Sequence, residues 1–265
     1  MREFHVWVDP FAPSNGDRRG EAGTGAETGT SAERRTPPRE PLGPGDSVLV
    51  TGAAGGIGRR VVGACAEAGP RVLATDRVPF EDARAARCLV GDVRNRAFVA
   101  SCLSGGDARP VAGVARLAAI PAPGNHPEEE ILDANVLGSY VVCQEAGRLG
   151  ARRLVLASSV SAFGLAWADR DLSPRYAPVD EDHATLAVDA HGLSRVLAEG
   201  VTAFTTRRRG LPTVALRFPF VGADERLAGQ LARVHADPAG TAATRGPGST
   251  PGTRRTPSTR RRPRR

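Results

Sequence analysis

A doubly wound α/β fold on a parallel sheet is what this sequence predicts, and three observations carry the prediction. Short apolar runs alternate with helix-like segments through the middle of the chain. The first run, Val48-Leu49-Val50-Thr51, breaks through closely spaced glycines straight into a helical pattern. The second, Arg71 to Asp76, ends on a carboxylate 18 residues after Gly58.

The remaining elements follow in order. Cys88-Leu89-Val90 reads as a third strand, closed by Gly91-Asp92-Val93, and Gly113 to Ala119 as a fourth. Pro127 to Gly150 reads as one long helix, its acidic first turn (Glu128, Glu129, Glu130) suited to the helix dipole. Arg153 to Ala157 is a fifth strand, Gly192 to Arg208 a second long helix, and Thr213 to Arg217 a sixth strand. Short apolar strands separated by helices imply parallel pairing with helices on both faces. Ligands on such sheets sit at the carboxyl ends of strands, where Thr51, Asp76, Asp92, Ala118 and Ser158 fall.

The 265 residues hold less folded chain than their number implies. Residues 1–46, rich in Gly, Pro, Thr, Ser, Glu and Arg without hydrophobic period, are expected to be disordered, as is the Arg/Pro-rich tail 237–265. One domain, 47–236, lies between them. The formal charge of +7 is local: eight arginines after Pro238, with no acid among them, leave the rest of the chain near neutral. Attraction to nucleic acid therefore belongs to the tail alone, which has no aromatic residue to stack on bases. Cys65, Cys88, Cys102 and Cys143 form no CxxC or Cys/His cluster, so no metal site is expected and all four read as small buried residues. With no apolar run fit for a signal peptide or a membrane span, a cytoplasmic location is expected. There is no lysine anywhere, which points to GC-rich coding and removes lysine from any catalytic scheme.

The glycines at 52, 55 and 58 have the spacing GxxGxxG. Gly52 permits a tight turn, Gly55 and Gly56 bare the backbone, and Gly58 brings the helix close to the strand. The helix N-terminus beginning at Gly56 and Ile57 then aims free N–H groups at a phosphate. After a strand, before a helix, and followed by Asp76, the loop points to a dinucleotide. Asp76 accepts from ribose hydroxyls and repels a 2′-phosphate, favouring NAD over NADP, while the guanidinium of Arg77 pulls the other way.

Several motifs then match one family in order. TGAAGGIG resembles the cofactor loop of the extended short-chain dehydrogenases/reductases, of the NAD-dependent epimerase/dehydratase type with its Rossmann fold. Gly91-Asp92-Val93 resembles the stretch whose acid contacts adenine, and Leu117-Ala118-Ala119 the strand end lining the cofactor, with Arg116 where His is common. Asn135-Val136-Leu137-Gly138 resembles the family's N-x-x-G segment. Ala157-Ser158-Ser159 through Phe163-Gly164 resembles S-S-x-x-x-Y-G, making Ser159 the catalytic serine equivalent. Leu216 to Gly222 resembles the strand and loop after the active site. The loop and the Ser158-Ser159 stretch are most similar to uronate-dehydrogenase-type sugar oxidoreductases, which implies a sugar-type substrate.

The resemblance breaks at two places. Family chemistry uses a tyrosine and, four residues on, a lysine. Here His191 takes the tyrosine place and Arg195 the lysine place, while Tyr140 and Tyr176 do not fit the pattern. Either His191 works as an acid/base with Arg195 keeping the positive charge, or the site is catalytically impaired and the protein binds cofactor as a pseudoenzyme or redox sensor. The second break is at about Pro238, where the expected substrate lobe gives way to Gly, Thr, Pro and Arg, as in a truncation or a change of reading frame. The sheet's flank is then uncovered, and marginal stability or a homodimer is expected.

Overall fold

The computed structural model describes residues 41–104, 110–165, 168, 172–222 and 225–236. The expected disordered segments lie outside these, apart from 41–46. Those six residues are not unstructured: they form a turn in which Asp46 accepts from Gly43 N–H at 3.0 Å and pairs with Arg152 at 2.5 Å. Leu42, one of the six, packs on the core.

β1 (Ser47–Thr51), β2 (Arg71–Asp76), β3 (Arg87–Val90), β4 (Gly113–Arg116), β5 (Arg153–Ser159) and β6 (Thr213–Phe218) form one parallel sheet. Its order, β3-β2-β1-β4-β5-β6, reverses direction beside β1. That places the topological switch, and the crevice it opens, between the carboxyl ends of β1 and β4. All five residues of β1 are buried, as a central strand covered on both faces requires. Alternate side chains feed opposite cores. Leu49 joins Leu73, Val114, Leu154 and Leu156 on one face, and Val48 and Val50 join Val72 and Ala74 on the other. Each fully buried Leu or Val contributes about 2 kcal/mol relative to exposure.

The helices are α1 (Gly56–Glu67), α2 (Arg96–Leu103), α3 (Glu128–Leu132), α4 (Gly138–Arg148), α5 (Ala190–Arg209) and α6 (Glu225–Ala236). α2 was not expected; the Asn95 side chain caps it by accepting from Phe98 N–H at 3.1 Å. The single helix expected over 127–150 is instead α3 and α4 joined by a π-helical turn, Asp133–Leu137. β4 stops at Arg116, short of Ala119, because the Leu117 and Ala118 N–H groups leave the ladder to donate to Thr51 Oγ1, both at 3.2 Å. β5 runs on to Ser159, paired with Phe218. α5 is capped by Asp189, accepting from Gly192 N–H at 2.9 Å, and stops at left-handed Gly210 after three arginines suited to its dipole.

The cysteines are all free; Cys102 and Cys143 are buried, whereas Cys65 and Cys88 are only half-buried, correcting the expectation for that pair. No helix among the described residues is long and apolar enough to cross a membrane.

Candidate functional site

The glycine loop is shaped by close backbone packing. Gly52 has φ +71°, and a Cβ there would come within 2.6 Å of Ala118 N. A Cβ at Gly58 would collide with Gly52 O and the Ala53 backbone, so the helix rests directly on the turn. Outward the loop is bare. Gly55 and Gly56 are exposed, a Cβ at Gly56 would meet nothing within 4 Å, and Gly55 supplies no side-chain cap to α1. Ile57 is half-buried behind them. The N–H groups of Gly56, Ile57 and Gly58 have no intrahelical acceptor, as at the start of any helix, and no side-chain cap.

Asp76, at the end of β2, stands beside this loop. Its Oδ2 accepts from Ala54 N–H at 3.0 Å, and its Oδ1 from Arg77 and Val78 N–H at 2.7 and 3.3 Å. The carboxylate thus braces the loop while remaining half-exposed. Asp92 lies further along the rim, held by Arg94, whose Nε reaches both carboxylate oxygens at 3.0 Å and whose Nη1 reaches Asp133. The Arg94 cation keeps the Asp92 carboxyl below its ordinary range. Val93 turns inward and packs on the core.

Across the crevice, Thr51 Oγ1 binds the backbone of Leu117 and Ala118, and half-buried Ala119 follows. Asn135, on the π-helical turn, is fully buried. Its side chain accepts from Ile120 N–H at 2.8 Å, and donates to Ile120 O at 3.1 Å and to Ser194 Oγ at 2.9 Å.

Ser159 ends β5 and caps the 3₁₀ turn Val160–Phe163, accepting from Ser161 N–H at 3.1 Å and donating to Ser161 Oγ at 3.0 Å. One lone pair of its hydroxyl remains open. α5 packs against this turn; a Cβ at Gly192 would lie 2.6 Å from Ser161 O. That contact brings His191 and Arg195 to the end of β5. Arg195 Nη1 donates to Ala157 O at 3.0 Å, and Arg195 Nε donates to His191 Nε2 at 3.2 Å. A guanidinium only donates, so Nε2 carries no proton and the neutral ring holds its proton on Nδ1. Nδ1 is buried and has no hydrogen-bond partner among the described residues. Burial first, then the Arg195 cation, pulls the His191 pKa down to about 4; burial also lowers that of Arg195, to about 10.

The structure adds groups that the sequence reading passed over. Glu199 is buried on the same face of α5, four residues beyond Arg195. It accepts from Ser158 Oγ and from Arg217 Nε and Nη2, the latter two at 3.0 and 2.8 Å. The Arg217 guanidinium also lies 4.8 Å from the centre of the Phe163 ring. The spacing 191, 195, 199 was the available signal: three titratable residues in register on one helix face. Among the described residues, no cluster of three or more His, Cys, Asp or Glu side chains is arranged to hold a metal.

The model of the NAD dependent epimerase/dehydratase family matches residues 48–236. The chain belongs to this family. The sterol demethylase protein B of Methylococcus capsulatus is 34% identical over 123 residues, 45% of this chain and 36% of that protein. The uronate dehydrogenase of Pseudomonas putida is 27% identical over 177 residues, 66% of this chain and 60% of that one. Among solved structures, a short-chain dehydrogenase/reductase superfamily protein from Agrobacterium tumefaciens with bound NAD matches with TM-score 0.59 and 26% identity, covering 77% of this chain and 63% of that one. The chain thus spans between 36% and 63% of the length of these three proteins.

Proposed function

We propose that this chain binds NAD in the crevice at the switch point and transfers a hydride between the nicotinamide and a sugar-type substrate: a sugar, sugar acid or sugar nucleotide. The observation that carries this reading is that the bare glycine loop after β1, the Asp76 carboxylate ending β2 and Ser159 ending β5, with His191 and Arg195 packed beside it, all stand at the carboxyl edge of one parallel sheet. The open space over Gly56 fits a diphosphate, which a Cβ would crowd. The similarity to a uronate dehydrogenase and to an NAD-bound neighbour supports the cofactor and the substrate class.

Under this reading Gly52, Gly55, Gly56, Ile57 and Gly58 form the diphosphate cradle. Asp76 takes the adenosine ribose hydroxyls and disfavours NADP. Asp92 and Val93 flank the adenine, Leu117, Ala118 and Ala119 line the nicotinamide end, and Arg195 faces its ribose; Asn135, fully buried with its amide bonded to Ile120 and Ser194, supports that end from behind rather than touching the cofactor. The cofactor supplies the hydride acceptor or donor carbon when bound. Ser159 hydrogen-bonds the substrate oxygen, and His191 moves its proton.

One observation favours a second reading, a catalytically impaired dinucleotide-binding protein or redox sensor. His191 is 2% exposed, and its lone pair already accepts from Arg195. A ring whose pKa is held at about 4 is a feeble base toward an alcohol. The two readings part in one assay: NADH formation over a panel of uronic acids and sugar nucleotides, by the wild type and by a His191→Tyr, Arg195→Lys double variant. Turnover by the wild type supports the first reading and overturns the second. Turnover by the double variant alone supports the second and overturns the first.

A further inference from the structure

Arg116 is the last residue of β4 and is fully buried. Its hydrogen-bond partners are all backbone carbonyls: Nη1 donates to Ala118 O, and Nη2 to Ala134 O and Asn135 O, both at 3.1 Å. The last two carbonyls lie in the π-helical turn, where bonding to the fifth residue along frees carbonyls from the usual α-helical pairing. Nε has no partner. The space is kept open by Gly138, where a Cβ would stand 3.0 Å from Arg116 Nη2 and 3.0 Å from Val93 Cγ2. A buried cation held by carbonyls alone is costly, so its surroundings must be closely matched to it.

From this turn a continuous set of hydrogen bonds leads to the reacting end of the crevice. Asn135 donates to Ser194 Oγ at 2.9 Å, and Ser194 Oγ donates to His191 O at 2.7 Å. Ser139 Oγ holds Asn135 O from the other side at 2.6 Å. Arg116, Asn135, Ser139, Ser194 and His191 are each at most 2% exposed. A buried network whose members depend on one another is rigid, and the loss of one member is felt by the rest.

We infer that Arg116 is a positioning residue: its guanidinium fixes the π-helical turn carrying Asn135, and through Asn135 and Ser194 fixes the first turn of α5, where His191 and Arg195 meet. Its importance for hydride transfer rests on the function proposed above; the geometric coupling does not. Arg116 acts at a distance: it is fully buried, and the bonds it makes go to backbone carbonyls.

The test is a long-range ¹H–¹⁵N spectrum of the full chain labelled on histidine ring nitrogens, with neither cofactor nor substrate added. A failure of the NAD reading therefore leaves its outcome interpretable. The wild type is expected to show His191 as a single tautomer protonated on Nδ1. Arg116→Met is expected to shift or mix the His191 ring signals while those of His126 and His183 stay put. Arg116→Lys keeps the charge without the fork and is expected to behave like Arg116→Met. Gly138→Ala crowds the guanidinium without removing it, is expected to move the same signals, and decides the matter if the Arg116 variants do not fold. Folded Arg116→Met or Gly138→Ala protein with unmoved His191 signals overturns the inference, as does full rescue by Arg116→Lys. A merely structural arginine would lower the melting temperature without touching the His191 tautomer.

Discussion

At His191, protonation means placing a charge in a sealed site beside the Arg195 guanidinium. The folded pKa of about 4 lies below the ordinary value of 6.5, so between those pH values the unfolded chain holds a proton that the folded chain refuses. Stability therefore falls as pH drops from 6.5 towards 4, by on the order of 3 kcal/mol. Urea unfolding at stepped pH is expected to show this slope, and His191→Gln to flatten it; an unchanged slope in the variant would place the linkage elsewhere. The pairing of His191 with Arg195 was legible in the sequence, since residues four apart share a helix face. The ring's tautomer and its depressed pKa were not, because they arise from burial under segments distant in sequence. Arg116 was visible only as a departure from a common histidine; that its guanidinium would reach the carbonyls of a π-helical turn depends on tertiary packing.

The strand–loop–helix unit that opens the domain was the most legible element, because its glycines are dictated by local geometry. Gly58→Ala is expected to cost at least about 2 kcal/mol, since its methyl meets backbone that cannot move aside. Gly56→Ala, with nothing within 4 Å, is expected to be neutral or to stabilise by up to about 1 kcal/mol while weakening NADH binding. Unfolding midpoints and fluorescence titration of both variants separate the two effects; equal destabilisation would contradict this account of the loop. The segment from Pro127 to Gly150 was less legible. Its apolar period reads as one helix, and no Pro breaks it. The π-helical turn is supported instead by Arg116 from β4 and by Asn135, which bonds Ile120 and Ser194. α2 escaped notice because eight residues give too little period to read.

Over the whole molecule, the alternation of strands and helices was enough to foresee a parallel sheet with its crevice at the strand carboxyl ends. Among the described residues the sheet has two edge strands, β3 and β6. Leu216 on β6, and Phe220, Val221, Leu227 and Leu231 in the segment that follows it, are 41% to 49% exposed. Such a flank favours self-association or a low melting temperature. Sedimentation and calorimetry are expected to show one or the other, and a stable monomer with a sharp, high-temperature transition would contradict this. The central claim concerns the crevice itself, and its most direct measurement is a fluorescence titration of the purified chain with NADH and NADPH, beside Asp76→Ala. Saturable NADH binding is expected, with weaker NADPH binding and a loss of about tenfold or more in NADH affinity when the Asp76 carboxylate is removed. Absence of saturable binding, or NADH affinity unchanged by Asp76→Ala, would contradict it.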